Sequence, residues 1–418
     1  MIIDGHAHLV APESLYASLS MLRSSAGAYP NPMPVSDEAL AASAASNVKI
    51  MDGVCTDANL APAIAANHSA KPASSAVSRA AKRQRGKTGM ARLVIGFGTS
   101  HSPMLVTDAP LWEERAISDH SNPELYDVEG NHCTYDELLR SGRSYESECQ
   151  PEYLGQQERK IQTALDRLAA DLKEARPDVV LIVGDDQHEL FDSGNFPAIS
   201  MFYGQTAPTH RWDAARTGNQ RFLKMVSEGY MMDRRHELPC DGEFALDLIG
   251  RMIHAGIDLG ASSKVSDPEK HGFGHAYGFV CKRLMASLQA PIIPILLNTY
   301  YPPNQPTPAR CYAIGEALRS AIEASGLDRR VAVVASGGLS HFVTNEPLDT
   351  RVLNALRSGD GAQLCNLPEK LLKSGSSEIR NWIMVAGVFR NAPVNWAEYV
   401  PVYRTPAGTG VGVGFARW

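Results

Sequence analysis

The chain has 418 residues and a formal net charge of −6, and 44% of its residues are hydrophobic. This length exceeds one ordinary domain, and the composition allows a sizeable buried core. The slightly acidic balance gives no electrostatic footprint for nucleic-acid binding. Neither a membrane span nor a signal peptide is predicted, because the longest apolar runs are short and the first ten residues include Asp4, His6 and His8. We therefore expect a cytoplasmic protein that acts on a small molecule.

The N-terminal part of the chain differs in composition from the rest. Residues 68–89, HSAKPASSAVSRAAKRQRGKTG, combine six Lys or Arg with many Ala and Ser and no acid, which is typical of a linker. We therefore divide the chain into residues 1–67, a linker at 68–89 and a catalytic domain at 90–418. The N-terminal extension is predicted to be poorly structured.

The opening MIIDGHAHLV places His6 and His8 two residues apart, where they would face the same side of a strand. With PESLYA and SNVKIMDGVCTD further on, it resembles the start of the amidohydrolase superfamily, whose TIM barrel has such a pair on its first strand. A barrel of that kind needs about 250 residues. Residues 1–67 are therefore interpreted as a truncated amidohydrolase-like remnant, and the alternative is a working metal site at His6 and His8.

From Ala91 onward, apolar runs alternate with segments of helical spacing. The runs RLVIGF, VVLIV, FPAISMFYG, PIIPILLN and VAVV predict strands, and GIDLGASSKV predicts a turn and an edge strand. Helical spacing predicts helices over residues 157–174, 243–254 and 309–325 and in the segment that follows GSSE. The β-loop-α-β order near the start favours an α/β fold with a central, mostly parallel β-sheet flanked by helices.

Charged side chains follow the strand VVLIV in the sequence GDDQHELF. Asp185, Asp186, His188 and Glu189 all come just beyond its predicted carboxyl end, where open α/β sheets form their binding sites. His188 is therefore the first candidate metal ligand. For this loop alone, carboxylates that cap the next turn remain an equal alternative.

Histidine or glutamate residues that could bind a metal also follow two other predicted strands and open one predicted helix. His101 follows the first strand in GTSHSPML, His341 follows a later strand in ASGGLSHF, and Glu378 opens the last helix in GSSEIRNW. Two histidines and one carboxylate with open positions form the facial triad of non-haem Fe(II) oxygenases, and a third histidine would be free to move protons. The alternative for Glu378 is a favourable interaction with the helix dipole.

The Gly-rich segment HGFGHAYGFV contains His271 and His275, and its glycines suggest a close approach of the backbone to a ligand. At least one of these histidines is expected to bind only the backbone. His275, together with Asn298 and Tyr301 after the strand PIIPILL, is a candidate for substrate binding.

Taken together, GTSHSPML, GDDQHELF with the following PAI, ASGGLSHF and GSSEIRNW resemble the class III extradiol ring-cleavage dioxygenases, the superfamily of protocatechuate 4,5-dioxygenase catalytic subunits. The resemblance covers residues 91–418. It implies an Fe(II) cofactor held by His101, His188 and Glu378. It also implies an acid/base role for His341 and a second catalytic histidine near His271.

One motif departs from the family pattern. The family often has Asn-Asp-His at the second ligand, whereas this chain has Asp185, Asp186 and Gln187 before His188.

Within the family, residues 111–139 and the ending YRTPAGTGVGVGFARW look most like 3-O-methylgallate 3,4-dioxygenase and its relatives. This implies cleavage of a lignin-derived catecholic acid with O2, in a homodimer. Gallate and protocatechuate are the alternative substrates. Arg216, Arg234 or a residue of another subunit would bind the substrate carboxylate.

Two functions from other classes remain open. A metal-dependent hydrolase would use zinc and require residues 1–89. A non-enzymatic binding protein on the same fold would need a broken ligand set, whereas the four positions here all have competent residues.

Overall fold

The computed structural model describes residues 89–213 and 220–418, together with Ile2–Ile3 and Leu9–Val10. The chain separates into two units, Met1–Gly86 and Lys87–Trp418. In the first unit, Ile2–Ile3 pairs with Leu9–Val10 in antiparallel orientation. The predicted amidohydrolase-like remnant, its His6 and His8 site, the poorly structured extension and nearly all of the predicted linker lie outside the described residues.

An eight-stranded sheet forms the centre of the second unit. In chain order its strands are β1 (Arg92–Thr99), β2 (Val179–Gly184), β3 (Ile199–Phe202), β4 (Gly260–Ser262), β5 (Ile292–Leu297), β6 (Arg330–Ser336), β7 (Trp396–Tyr403) and β8 (Gly410–Arg417).

The spatial order of the strands is β7-β8-β1-β6-β2-β5-β3-β4. The four central strands β1, β6, β2 and β5 are parallel to one another. Strand β3 runs antiparallel to β5 and parallel to β4, and the hairpin β7–β8 joins β1 in antiparallel orientation. The predicted mostly parallel sheet is confirmed, and GIDLGASSKV supplies its edge strand.

Ten α-helices accompany the sheet in the described part of the chain. They are α1 (Trp112–Asp119), α2 (Tyr135–Ser141), α3 (Pro151–Ala175), α4 (Arg221–Gly229), α5 (Gly242–His254), α6 (His275–Phe279), α7 (Pro308–Ala324), α8 (Glu346–Ser358), α9 (Gly361–Cys365) and α10 (Ile379–Phe389). None of these helices is long and apolar enough to cross a membrane.

Helices cover both faces of the sheet because its strands alternate their side chains between two cores. On β2, Leu181 belongs to a core with α5, α7, α8 and α10, whereas Val180 and Ile182 belong to a core with α3, α4 and α6. All six residues of β2 are buried, as expected for a parallel strand covered on both sides. The carboxyl ends of the central strands are thereby left as the open edge for a binding site.

The C-terminal hairpin β7–β8 was not predicted as strands. In β8, glycine alternates with apolar residues, a pattern that weakens strand propensity. The structure requires these glycines, because a Cβ on Gly412 would lie 1.8 Å from Asp349 Oδ2 and one on Gly414 would lie 2.6 Å from the Leu339 side chain. The glycine repeat therefore marks a strand that packs closely against the loop after β6 and the first turn of α8.

Helices α7 and α10 approach closely through a glycine on α7. A Cβ on Gly315 would lie 1.9 Å from the Met384 carbonyl oxygen, so Gly315→Ala must push the helices apart. We expect the free energy of unfolding to fall by about 1–3 kcal/mol despite the higher helix propensity of alanine, as measured by urea denaturation.

The matched control is Gly250→Ala on α5, where an added Cβ meets nothing within 4 Å. This substitution should raise the free energy of unfolding by about 0.5–1 kcal/mol. Equal changes for the two variants would show that helix contact does not decide the cost.

Candidate metal centre

Polar side chains converge at the carboxyl ends of β1, β6 and β2, which are adjacent in the sheet. His101 and Asp185 follow β1 and β2 directly, His275 begins α6, and Glu378 immediately precedes α10. These four residues are buried, and each offers a ligand atom within 4.8 Å of all the others. The predicted position of the site at this sheet edge agrees with the geometry.

The ring of His101 is oriented by Ser336. Its Nδ1 lies 3.0 Å from Ser336 Oγ, and that hydroxyl donates its single hydrogen to the Ala276 carbonyl at 2.7 Å. Ser336 Oγ must therefore accept a hydrogen bond from Nδ1–H of His101. Because Nδ1 holds the proton, Nε2 of the neutral ring presents its lone pair to the cluster, which is the arrangement of a metal-ligating histidine.

His275 is oriented in the same way by a carboxylate. Its Nδ1 lies 2.5 Å from Glu189 Oε1, and its Nε2 lies 3.9 Å from Asp185 Oδ2. Burial opposes a charge on this ring, but the Glu189 carboxylate outweighs it and raises the pKa of His275 to about 10. Gly274 leaves room for the pair, since a Cβ there would lie 2.4 Å from Glu189 Cδ. A carboxylate behind a histidine fixes its tautomer for metal binding.

Both carboxylate oxygens of Glu378 contact polar groups of the site. Oε2 accepts a hydrogen bond from the Gly338 N–H at 2.5 Å and lies 3.2 Å from His101 Nε2, while Oε1 lies 3.3 Å from His341 Nε2. Burial opposes ionisation, but the neighbouring His341 and His101 hold the pKa of Glu378 well below its usual range. Glu378 is therefore an anionic donor at neutral pH.

Two buried atoms of the cluster have no hydrogen-bond partner among the described residues, namely His101 Nε2 and Asp185 Oδ1. Leaving such an atom unsatisfied costs about 1–3 kcal/mol. A cation between them would satisfy both, and a set of two imidazoles with carboxylate oxygens fits ferrous iron. The donors therefore fit the metal that the sequence resemblance implies.

His341 lies beside Glu378 with a defined tautomer. Its Nδ1 donates to the Leu339 carbonyl at 2.9 Å, so Nε2 of the neutral ring is a proton acceptor that faces the centre. Two glycines leave space for the ring, because a Cβ on Gly338 or Gly375 would come within 2.5 Å or 2.0 Å of it. Burial disfavours the charged ring, yet the Glu378 carboxylate raises the pKa of His341.

His188, the predicted second ligand, is not part of this group. Its backbone has a φ of 69°, its side chain is exposed, and its ring packs on Tyr301 with centroids 4.1 Å apart. The turn has this shape because the Asp186 carboxylate accepts the N–H groups of Leu190 and Phe191. The structure thus groups His275 and Asp185 with His101 and Glu378, whereas His188, the ligand expected from the sequence, lies outside this group.

The other sequence-based candidates lie outside the cluster. Asn298 is buried, and its amide binds the backbone of Tyr301 at 2.6 and 2.9 Å, so it shapes a turn. His271 is half-buried and, like Asn298 and Tyr301, does not line the cavity beside the centre. The side chain of Arg234 is 75% exposed, and Arg216 lies outside the described residues.

A cavity of about 280 Å³ opens beside the centre. One part of its lining is polar and includes His101, His275, His341, Glu378 and Gln187, and further lining comes from Trp212, Phe342, Arg115 and Arg404. Sequence reasoning missed both arginines. No local pattern could have revealed Arg404, because the unpredicted C-terminal hairpin brings it to the cavity.

The loop that presents His341 is anchored by a buried carboxylate. Asp349 accepts hydrogen bonds from the Ser340 N–H at 2.8 Å, the Ser340 hydroxyl at 2.6 Å and the Tyr399 hydroxyl at 2.7 Å. Burial nevertheless raises the pKa of Asp349 to about 6 from 3.8. The folded chain thus binds a proton here more tightly than the unfolded chain.

This shift predicts the pH dependence of stability. Because the folded-state pKa is raised, the stabilisation from Asp349 protonation is complete below the unfolded pKa and is lost as pH rises through about 6. When the pH falls from 7 to 4, the free energy of unfolding of wild type should rise by up to about 3 kcal/mol relative to that of Asp349→Asn. Urea denaturation of both proteins across this range measures the difference, and parallel curves would contradict the assignment.

The fold and the cluster together define an α/β protein with a buried candidate metal site at the carboxyl ends of parallel strands. Residues 147–414 match the family model of the catalytic LigB subunit of aromatic ring-opening dioxygenase. This match covers more than half of the chain, and the chain therefore belongs to that family. The family predicted from the motifs is confirmed.

Curated relatives are more distant. The chain is similar to the 2,3-dihydroxyphenylpropionate/2,3-dihydroxicinnamic acid 1,2-dioxygenases of Comamonas testosteroni, with 25% identity over 43% of this chain and 48% of the relative, and of Xanthobacter autotrophicus, with 26% identity over 43% and 49%. It is 47% identical to gallate dioxygenase of Pseudomonas putida over 13% of this chain and 16% of that protein. The matches therefore span about half, or less, of the length of these relatives.

Proposed function

We propose that this protein is an Fe(II)-dependent extradiol dioxygenase that opens the aromatic ring of a catecholic acid with O2. The observation that supports this most strongly is the buried cluster of two oriented histidines and two carboxylates, in which two atoms have no hydrogen-bond partner among the described residues. Membership of an aromatic ring-opening family gives the cluster its chemical context.

His101, His275 and Glu378 are the proposed iron ligands. Both imidazoles offer Nε2 while Nδ1 is engaged, and the low pKa of Glu378 keeps its carboxylate charged. Three protein ligands leave open positions, as in other facial-triad oxygenases. Asp185 adds a second carboxylate beside the ligands. When bound, ferrous iron would supply a chelation point for two adjacent ring oxygens and the electronic link between the ring and O2.

His341 is the proposed acid/base. Its Nε2 lies at the polar end of the cavity, where it accepts a proton from a ring hydroxyl and later returns it to an oxygen of the opening ring. A histidine suits both directions of transfer because its unperturbed pKa of about 6.5 is close to working pH. Trp212 and Phe342 supply apolar walls that exclude water from the ring.

The substrate is proposed to be 3-O-methylgallate or a similar lignin-derived acid, with gallate and protocatechuate as alternatives. The cavity of about 280 Å³ lies near the lower limit of typical ligand pockets, about 300 Å³, which suits a single ring. The short, higher-identity match to gallate dioxygenase is consistent with a ring acid of this class.

The proposal is tested by anaerobic purification, loading with Fe(II), and measurement of oxygen uptake and product spectra with 3-O-methylgallate, gallate and protocatechuate. We expect one O2 consumed per ring opened and no requirement for an external reductant. A zinc-loaded protein that hydrolyses amides without oxygen uptake would instead support the hydrolase alternative.

A further inference from the structure

Two arginines of the cavity share a single buried carboxylate. Asp119, at the end of α1, is fully buried. Arg404 donates to it through Nε at 2.8 Å and Nη2 at 3.2 Å. Arg115, on α1, donates to the same group through Nη1 at 2.7 Å. The side chains of both arginines line the cavity beside the metal centre.

The contacts with Asp119 fix the guanidinium groups without using all their donors. Arg404 uses Nε and Nη2 on Asp119, so Nη1 is not engaged by that carboxylate. Arg115 uses Nη1, which leaves Nε and Nη2 not engaged by it. A guanidinium group has five N–H donors in a rigid plane, and this geometry suits a second carboxylate.

Among the described residues, the two arginines at this end of the cavity share the single carboxylate of Asp119. Two guanidinium groups face one carboxylate, and the Arg404 side chain is only 3% exposed while that of Arg115 is 20% exposed. Burial and the neighbouring Arg404 lower the pKa of Arg115 to about 10, although Asp119 opposes the shift. A buried positive charge without a full counterion is costly, so a bound anion would stabilise this arrangement.

Arg115 and Arg404 line the same cavity as the candidate metal ligands, and Arg115 has contacts that place it near them. The Tyr230 hydroxyl donates to the His101 carbonyl at 2.5 Å, and its ring lies 5.6 Å from that of His275. Burial and the nearby carboxylates raise the pKa of Tyr230, and Arg115 is close enough to act against that shift. Arg115 also lies 5.4 Å from the ring of Phe342, next to His341. One small aromatic molecule in the cavity could therefore contact both the arginines and the candidate metal ligands.

We propose that Arg115 and Arg404, held by Asp119, form the subsite that binds the carboxylate of the aromatic substrate while its hydroxyl groups face the metal centre. This inference rests on the proposed function. It replaces Arg216 and Arg234 as candidates for this role, and it makes the enzyme selective for ring acids over neutral catechols.

The experiment compares the binding of 3,4-dihydroxybenzoate and 3,4-dihydroxybenzamide, which differ in the charge of one substituent. Affinities are measured by anaerobic calorimetry with the iron-loaded protein and again with the metal-free protein. Wild type should prefer the acid. In Arg115→Gln the affinity for the acid should fall by at least about tenfold while that for the amide stays within about twofold, as expected for one lost charge-assisted contact.

Arg234→Gln is the matched control, because it removes the same charge from an exposed side chain. It should leave the preference for the acid over the amide unchanged. Arg404→Lys is the second variant: it keeps the charge but loses the paired contact with Asp119, and it should also reduce the preference for the acid.

Two results would overturn the subsite. The first is an Arg115→Gln protein with an unchanged melting temperature whose affinities for the acid and the amide fall equally. The second is a selective loss of affinity for the acid in Arg234→Gln instead of in Arg115→Gln. A failed oxygen-uptake assay with retained acid preference would overturn the proposed reaction and leave the subsite intact.

Discussion

Replacing His275 by alanine should lower the affinity for Fe(II) by more than about 100-fold, since changes in the residues behind a ligand already cost about 10–100-fold. The expectation follows from the position of His275, whose Nε2 faces Asp185 while Nδ1 is held by Glu189. Glu378→Ala should have a similar effect. Anaerobic titration with Fe(II), followed by metal analysis after desalting, measures the loss.

Two further variants make this experiment decisive. His188→Ala should keep its iron, because the ring of His188 is exposed and packs on Tyr301 outside the cluster. Glu189→Gln should weaken iron binding by about 10–100-fold, as expected for a residue that orients a ligand. If His188→Ala lost its iron while His275→Ala kept it, the ligand set expected from the motif would be right and the revised set wrong.

His341→Gln should retain iron and substrate binding but reduce the turnover number by about 100- to 10,000-fold, the usual contribution of a positioned acid/base. The glutamine keeps a polar side chain of similar size but cannot exchange a proton near neutral pH. The measurement is oxygen uptake at saturating substrate, with iron content determined on the same samples.

The control for this variant is His254→Gln, on the exposed surface of α5. It should leave the turnover number unchanged. A His341→Gln protein with wild-type turnover would exclude His341 from proton transfer. Loss of iron in that variant would instead assign His341 a role in positioning Glu378, the proposed ligand, which it contacts at 3.3 Å.

The parallel sheet was predictable because its strands are continuous apolar runs, which only burial on both faces explains. The same reasoning located His101, Asp185, His341 and Glu378, because strand ends and a helix start are local features. The hairpin β7–β8 was not predicted because its glycines lower the strand propensity of the sequence. The structure needs these glycines for close packing against Asp349 and Leu339, and this packing is visible only in three dimensions.

The choice between His188 and its neighbours could not be made from the sequence. Side-chain direction in this turn depends on a backbone φ of 69° and on the hydrogen bonds that Asp186 accepts. His275 was identified as a functional residue in a Gly-rich loop but given a substrate role, because nothing in the motif reveals the contact with Glu189. The pairing of Asp119 with Arg404 joins distant parts of the chain and left no sequence signal.

The donors of the metal centre come from four well-separated segments of the chain, at His101, Asp185, His275 and Glu378. An unfolded chain cannot hold them together, so the proposed metal would bind almost only to the native state. Thermodynamic linkage then makes the metal a stabiliser of the whole domain: at a free concentration of about 100 times Kd it contributes about 2.7 kcal/mol. Metal availability would thus control the lifetime of the protein as well as its chemistry.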